Sequence, residues 1–212
     1  GVLPMVPLDT HRGSNDAPLT NKPIPWDLAC LIYTSGTTGP SKGCMISYNY
    51  MCNLARLQLR AGPANENDVT ITPLPLFHMN ALACSALGMI LKGGTLVPID
   101  RFHASRWWRT VADSGATAIH YLGVMPAILL RREPEPAERA HRVRFGFGAG
   151  VDADEKHRFE ARFGIPLVEA WAMTETGAGA VTTTARETGP LGPRCIGRPT
   201  PTTAWRIVAD DG

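Results

Sequence analysis

The densest chemistry in the sequence lies in Tyr33-Thr34-Ser35-Gly36-Thr37-Thr38-Gly39-Pro40-Ser41-Lys42-Gly43. Glycines at 36, 39 and 43 let the backbone turn tightly and aim its N–H groups at a ligand. The Ser and Thr hydroxyls add neutral donors, and Lys42 adds one positive charge. Together these groups suit a cradle for a polyphosphate. The run is not a Walker A loop, because Lys42 lacks the glycine before it and the Ser/Thr after it that such a loop requires. A flexible surface loop would not need so many phosphate-compatible groups in one place.

Three further runs carry groups that could meet a nucleotide or an acid. Pro73-Leu74-Pro75-Leu76-Phe77-His78 ends on a histidine, Phe145-Gly146-Phe147-Gly148-Ala149-Gly150 is a glycine-rich apolar segment, and Glu169-Ala170-Trp171-Ala172-Met173-Thr174-Glu175 ends on a hydroxyl and a carboxylate. Taken singly, each has a plain structural reading. A lone histidine is more often structural than functional, and a tryptophan more often packs in a core. Gly148 and Gly150 are compatible with a simple turn, and Thr174 and Glu175 with a solvated loop.

The four runs, in this order, resemble the motifs of the adenylate-forming superfamily of acyl-CoA synthetases, peptide-synthetase adenylation domains and luciferases. The first resembles its phosphate loop, T-S-G-T-T-G-x-P-K-G, with Ser41 where proline is usual. The last resembles Y-G-x-T-E, with Trp171 for Tyr and Ala172 for Gly, and Cys195-Ile196-Gly197-Arg198-Pro199 also fits the pattern. The resemblance implies ATP, Mg²⁺ and coenzyme A as cofactor and substrates. It implies that Thr34, Ser35, Gly36, Thr37, Thr38, Gly39 and Lys42 hold the β- and γ-phosphates. Gly148, Ala149 and Gly150 would line the adenine and acyl groups, and Ala170, Trp171, Ala172 and Met173 would border adenine. Thr174 would bond the α-phosphate, Glu175 would ligate Mg²⁺, and His78 would lie between the ATP and acyl pockets. Lys42, His78, Thr174 and Glu175 are thus the implied catalytic set.

The reaction implied is adenylation of a carboxylate followed by thioester formation with coenzyme A. Phe77-His78-Met79-Asn80-Ala81 and Val124-Met125-Pro126-Ala127-Ile128-Leu129 resemble the crotonobetaine/carnitine–CoA ligase group and related medium-chain ligases. An amino-acid adenylation domain is a rival, although no acidic residue lies between Asn80 and Gly94 to hold an amino group. A non-catalytic nucleotide-binding fragment is another, against which the intact Lys42, Thr174 and Glu175 argue.

These groups need elements to hold them. Apolar runs predict strands at Leu28–Tyr33, Val69–Thr72, Thr95–Ile99, Thr117–Tyr121, Val143–Phe147, Leu167–Ala170 and Trp205–Val208, the first buried on both faces. Helices are expected over Ser47–Arg60, Asn80–Leu91, Ser105–Ser114 capped by Ser105, Met125–Arg132, and from an Asp152 cap to Phe163. Glycines at 93–94 and 164 end two of them. This alternation predicts an α/β fold, mostly parallel, with helices on both faces. In such folds ligands sit beyond the carboxyl ends of the strands, where the four motifs fall.

Composition narrows the partners. The net charge is +2 and no basic cluster stands out, so nucleic acid is not expected. Ser105-Arg106-Trp107-Trp108-Arg109 is too short for a nucleic-acid stripe. No apolar run reaches the ~20 residues that span a bilayer. Five irregularly spaced cysteines, Cys30, Cys44, Cys52, Cys84 and Cys195, form no C-x-x-C pair. They fit small buried hydrophobes in a reducing cytoplasm better than a disulfide or zinc framework. His103, His120, His141 and His157 are read as structural or surface residues. A homo-oligomer is compatible with the resemblance. Residues 1–25 read as a linker or incomplete N-terminal part and 26–212 as the nucleotide-binding core. The resemblance further implies a ribose-binding aspartate and a mobile C-terminal domain beyond residue 212, so the 212-residue piece is expected to be inactive alone.

Overall fold

Short apolar segments separated by helical stretches pair side by side, because each strand can bury both faces only under helices. The computed structural model describes residues 22–34, 39–182, 195–201 and 203–209. Strands β3 (Val69–Thr72), β4 (Thr95–Pro98), β5 (Ala118–Leu122), β6 (Phe145–Ala149) and β7 (Leu167–Met173) run parallel in the order β4-β3-β5-β6-β7. β8 (Gly177–Val181) and β9 (Arg198–Pro199) extend the sheet antiparallel. A separate antiparallel pair, β1 (Leu28–Thr34) and β2 (Lys42–Ser47), precedes it.

Alternation along the strands feeds two cores. Ile71, Ile119, Tyr121 and Leu167 pack with Trp107, Trp108, Leu129, Phe159 and Phe163. These come from α3 (Trp107–Asp113), α4 (Val124–Leu130) and α5 (Ala153–Phe163). Ala118, Phe145, Phe147 and Val168 point the other way, onto Leu54 and Ala61 of α1 (Tyr48–Ala61), Ala83, Cys84, and Ile32 and Ile46 of the hairpin. The expected mostly parallel α/β fold with helices on both faces is therefore present. Ser47 caps α1 by accepting the Tyr50 N–H at 3.2 Å, and Asp152 caps α5 by accepting the Asp154 N–H at 2.9 Å.

Four expectations need correction. Leu28–Tyr33 is not buried on both faces. It belongs to the two-stranded hairpin, where Ile32 is 4% exposed but Leu31 and Tyr33 are 50% and 65% exposed. The helix after Asn80 is π-wound over Asn80–Leu87 and becomes α2 only over Gly88–Lys92, where Gly93 ends it at φ 77°. Ser105 does not cap α3. The position before the helix is Arg106, which makes no side-chain cap, and the Arg106 carbonyl accepts the Thr110 N–H. Trp205–Val208 forms no strand, and Ile207 is almost fully exposed with no ladder partner among the described residues.

At the amino ends of the strands, Asp68 fastens three elements. Its buried carboxylate accepts the Thr117 hydroxyl, the Arg144 guanidinium and the Asn65 N–H, each at 2.6 Å. Burial alone would raise its pKa, but these donors outweigh it and hold the carboxyl below the usual carboxylate range. A depressed folded pKa means that the stabilisation is present above the ordinary value of about 3.9 and is lost as pH falls through the folded one. Asp68→Asn is expected to cost on the order of 1–3 kcal/mol at neutral pH. The gap from wild type in urea melts narrows once pH drops below about 4. A gap that stays constant with pH would overturn this.

Candidate active site

The carboxyl ends of β5, β6 and β7 meet around one buried carboxylate. Glu169 on β7 accepts the Gly150 N–H at 2.9 Å and the Val151 N–H at 3.3 Å through Oε2, and the Tyr121 hydroxyl through Oε1. Tyr121 also donates to the Val168 carbonyl at 3.0 Å. Burial, and then the adjacent Glu169 charge, push the Tyr121 phenol well above its ordinary pKa, so it acts as a fixed donor. The Gly148–Gly150 turn is thereby pinned from beneath. Gly150 has φ 82° and open space where a side chain would begin, whereas Gly148 lies directly against Tyr121. Ala149 accepts the Gly123 N–H at 2.8 Å, which ties the start of α4 to the same turn.

A second knot joins the His78 segment to the Thr174–Glu175 turn. From the first turn of α1, the Tyr50 hydroxyl donates to the Thr174 carbonyl at 2.9 Å and to the Met173 carbonyl at 3.3 Å, and it touches the Met79 sulfur. Its ring packs where a side chain on Gly177 would begin, and Gly177 turns the β7–β8 hairpin at φ 78°. Burial raises the Tyr50 pKa and keeps the donor protonated. His78 itself is exposed. Its N–H closes a turn on the Pro75 carbonyl at 3.0 Å, and its ring lies 4.8 Å from that of Phe77.

The Trp171–Glu175 run is partly strand, not loop. Trp171, Ala172 and Met173 continue β7 with an irregularity in register between Trp171 and Ala172, and all three are exposed, although Leu167–Glu169 of the same strand is buried. Ala170 packs at the edge of the core beneath them. Trp171 meets Trp205 edge-on at 5.3 Å, over Gly179, whose carbonyl accepts the Trp205 indole N–H at 3.1 Å. Thr174 is half-buried and Glu175 exposed in the tight turn that follows.

Thr34 and Lys42 face each other as the last matched pair of β1 and β2, at the mouth of the glycine-rich loop. Gly39 is exposed with nothing near it, and Ser35, Gly36, Thr37 and Thr38 lie outside the described residues. The Lys42 side chain is exposed and makes no ion pair among the described residues. No described contact joins it to Thr174 or Glu175. The link runs through α1, whose cap, Ser47, ends β2 and whose Tyr50 reaches the Thr174 carbonyl.

The structure thus brings Met79, beside His78, and the Thr174–Glu175 turn to Tyr50, and it sets the Gly148–Gly150 turn against Tyr121 and Glu169. Sequence reasoning gave neither Tyr50 nor Glu169 a role. The signal for Glu169 was present, as a carboxylate at an inward position of an apolar strand has to find donors. Nothing in the sequence indicated which segments Tyr50 would touch. His120, by contrast, is a core residue. Burial pushes its pKa down to about 3, it contacts Ser85, and it packs edge-on against Phe147.

A family model described as AMP-binding enzyme matches residues 4–212. The sulfoacetate–CoA ligase of Cupriavidus necator is 36% identical over 221 residues, covering 99% of this chain and 40% of that protein. The medium/long-chain fatty acid–CoA ligase of Mycobacterium tuberculosis is 34% identical over 174 residues, covering 79% of this chain and 29% of that protein. A solved malonyl-CoA ligase in a ternary product complex with methylmalonyl-CoA and AMP superposes with a TM-score of 0.70 at 28% identity, over 83% of this chain and 38% of that one. The chain therefore spans well under half the length of these relatives.

Proposed function

Because the chain belongs to the AMP-binding enzyme family, we propose that it forms the nucleotide- and acid-binding core of an ATP-dependent acid–CoA ligase. The observation that carries this reading is the junction at Tyr50, where the His78 segment and the Thr174–Glu175 turn meet at the carboxyl end of a parallel sheet. Exposed Phe77, Leu122, Trp171 and Met173 leave apolar surface there, as a ligand site would need. Residues 26–212 as core and 1–25 as its lead-in belong to the same reading, as does a cytoplasmic setting, which the irregularly spaced cysteines support.

A carboxylate oxygen attacks the α-phosphorus of ATP and pyrophosphate leaves. The thiol of coenzyme A then attacks the acyl carbon and AMP leaves. The chain's part is positioning and charge neutralisation. Lys42, with Thr34, Ser35, Gly36, Thr37, Thr38 and Gly39, holds the departing phosphates. Thr174 bonds the α-phosphate, and the Trp171 face with Ala170, Ala172 and Met173 borders adenine beside Gly148, Ala149 and Gly150. His78 borders the incoming carboxylate. Glu175 is an exposed carboxylate with no cluster of other ligating side chains about it among the described residues. That suits Mg²⁺, which binds through one or two carboxylates and completes its shell with phosphates and water. When bound, the ion offsets phosphate charge.

The test is carboxylate-dependent ATP–pyrophosphate exchange by the protein carrying this chain. The acid panel holds sulfoacetate, malonate, medium- and long-chain fatty acids, carnitine-like acids and amino acids. Exchange with one non-amino acid class, followed by its CoA thioester, is expected. Exchange with amino acids alone moves the reading to an amino-acid adenylation domain. Mg·ATP binding with no exchange for any acid overturns it in favour of a non-catalytic nucleotide-binding fragment.

A further inference from the structure

The hairpin and the first turn of α1 are built as one corner. β2 ends at Ser47 and α1 begins at Tyr48, with no residue between them. The Tyr48 N–H donates to the Asp27 carbonyl at 3.2 Å, the Asn49 N–H to the Pro25 carbonyl at 2.7 Å, and the Tyr50 N–H to the Ser47 hydroxyl at 3.2 Å. These are the N–H groups that a helix start leaves without intrahelical partners. Here the chain before β1 and the end of β2 both take hold of α1 through them. Ile46, one residue before the corner, is 2% exposed and shares a core with Leu54 of α1. The hairpin therefore cannot swing about the helix without giving up buried contacts.

This corner joins two segments that have no described contact of their own. At the far end of β2 stands Lys42, paired with Thr34, its side chain exposed. On the helix side stands Tyr50, whose hydroxyl donates to the Thr174 carbonyl at 2.9 Å and to the Met173 carbonyl at 3.3 Å. Within its own hairpin the Thr174–Glu175 turn is closed by the Thr176 N–H on the Met173 carbonyl at 3.3 Å, and Tyr50 reaches it from outside. Strand, cap and tyrosine thus form a strut from Lys42 to that turn.

We propose that Tyr50 is a positioning residue that fixes the span between Lys42 and the Thr174–Glu175 turn. A nucleoside triphosphate, which engages both segments, then gains affinity that AMP or pyrophosphate, each engaging one, does not. Two binding elements held at a matching span act as one pre-organised site, whereas a slack link forfeits that gain and spares ligands that need one element. The assignment of phosphates to these segments rests on the ligase reading; the strut itself does not.

Calorimetric titration of the protein carrying this chain with Mg·ATP, AMP and Mg·pyrophosphate tests it. Tyr50→Phe keeps the ring against Gly177 and removes only the hydroxyl. It is expected to weaken Mg·ATP by about tenfold, and AMP and pyrophosphate by no more than about twofold. Ser47→Ala, which frees the Tyr50 N–H at the other end of the strut, gives the same pattern at about threefold. Ser47→Thr keeps a capping hydroxyl and restores the wild-type affinities. This second pair carries the test if Tyr50→Phe does not fold. A tyrosine with a merely structural role lowers the melting temperature and weakens all three ligands alike, or none. Equal loss of AMP and Mg·ATP, Mg·ATP within about twofold of wild type in Tyr50→Phe, or no binding of Mg·ATP by wild type overturns the proposal. Selective loss of Mg·ATP without pyrophosphate exchange for any acid keeps the strut and sinks the ligase reading; exchange with equal losses does the reverse.

Discussion

Glu175→Gln is expected to lower carboxylate-dependent ATP–pyrophosphate exchange by the protein carrying this chain by a factor on the order of 10²–10³, with no change in melting temperature. The side chain is exposed in the turn between β7 and β8 and makes no described hydrogen bond, so its loss removes no packing. Glutamine keeps the shape and one carbonyl oxygen but loses the charge that a hard divalent cation seeks. The deficit should shrink as Mg²⁺ is raised, because mass action partly restores occupancy. Lys42→Ala should lose a comparable factor without responding to Mg²⁺, since a point charge at the mouth of the loop is lost instead. The pair of responses separates a ligase from a scaffold. Equal exchange by wild type and both variants would remove Glu175 and Lys42 from the chemistry.

How much of this was legible in the sequence follows from what each signal encodes. The strands at Val69, Thr95 and Leu167 were visible as short runs of β-branched and apolar residues bounded by turn residues, even though threonines alternate in the first and the second is an edge strand with exposed ends. The same signal misled at Leu28–Tyr33. A short apolar run cannot distinguish a strand buried on both faces from a hairpin strand that exposes Leu31 and Tyr33 and buries Ile32. Lys42–Ser47 carries no expectation of a strand, because its residues are small, polar or charged at half the positions and its pairing is with β1, not with a sequence pattern. The π-wound stretch over Asn80–Leu87 gave no local warning either, since the composition is that of an ordinary apolar helix. The site was legible as a set of motifs, but the groups that hold the motifs were not. Tyr50 and Tyr121 act through carbonyls and carboxylates distant in sequence, and only the sheet order brings them together.

Gly148→Ala tests that hidden support, and it is expected to lower stability well below that of Gly150→Ala in the same turn. A methyl built on Gly148 would lie 2.3 Å from the Tyr121 carbonyl oxygen and 2.6 Å from the Tyr121 ring. Gly148 and Tyr121 are register partners in adjacent strands, so backbone cannot withdraw without opening the β5–β6 ladder. Nor can the ring turn away, because its hydroxyl is held by the Val168 carbonyl and Glu169 in a fully buried setting. Overpacking of this kind costs about 3 kcal/mol or more, which corresponds to roughly 6–12 °C in melting temperature for a chain of this size. Gly150→Ala is the matched control. There the added methyl meets open space, and the cost is only that of a left-handed φ of 82° for alanine. That conformational cost is about 1–2 kcal/mol. The two variants should also part in nucleotide binding. Displacing Tyr121 disturbs the donor that anchors Glu169 and so loosens the Gly150 and Val151 N–H bonds, raising the Kd for Mg·ATP more in Gly148→Ala than in Gly150→Ala. Equal melting temperatures for the two would mean that β5 and β6 yield at this contact, and that the turn is held by something other than the Tyr121–Glu169 pair.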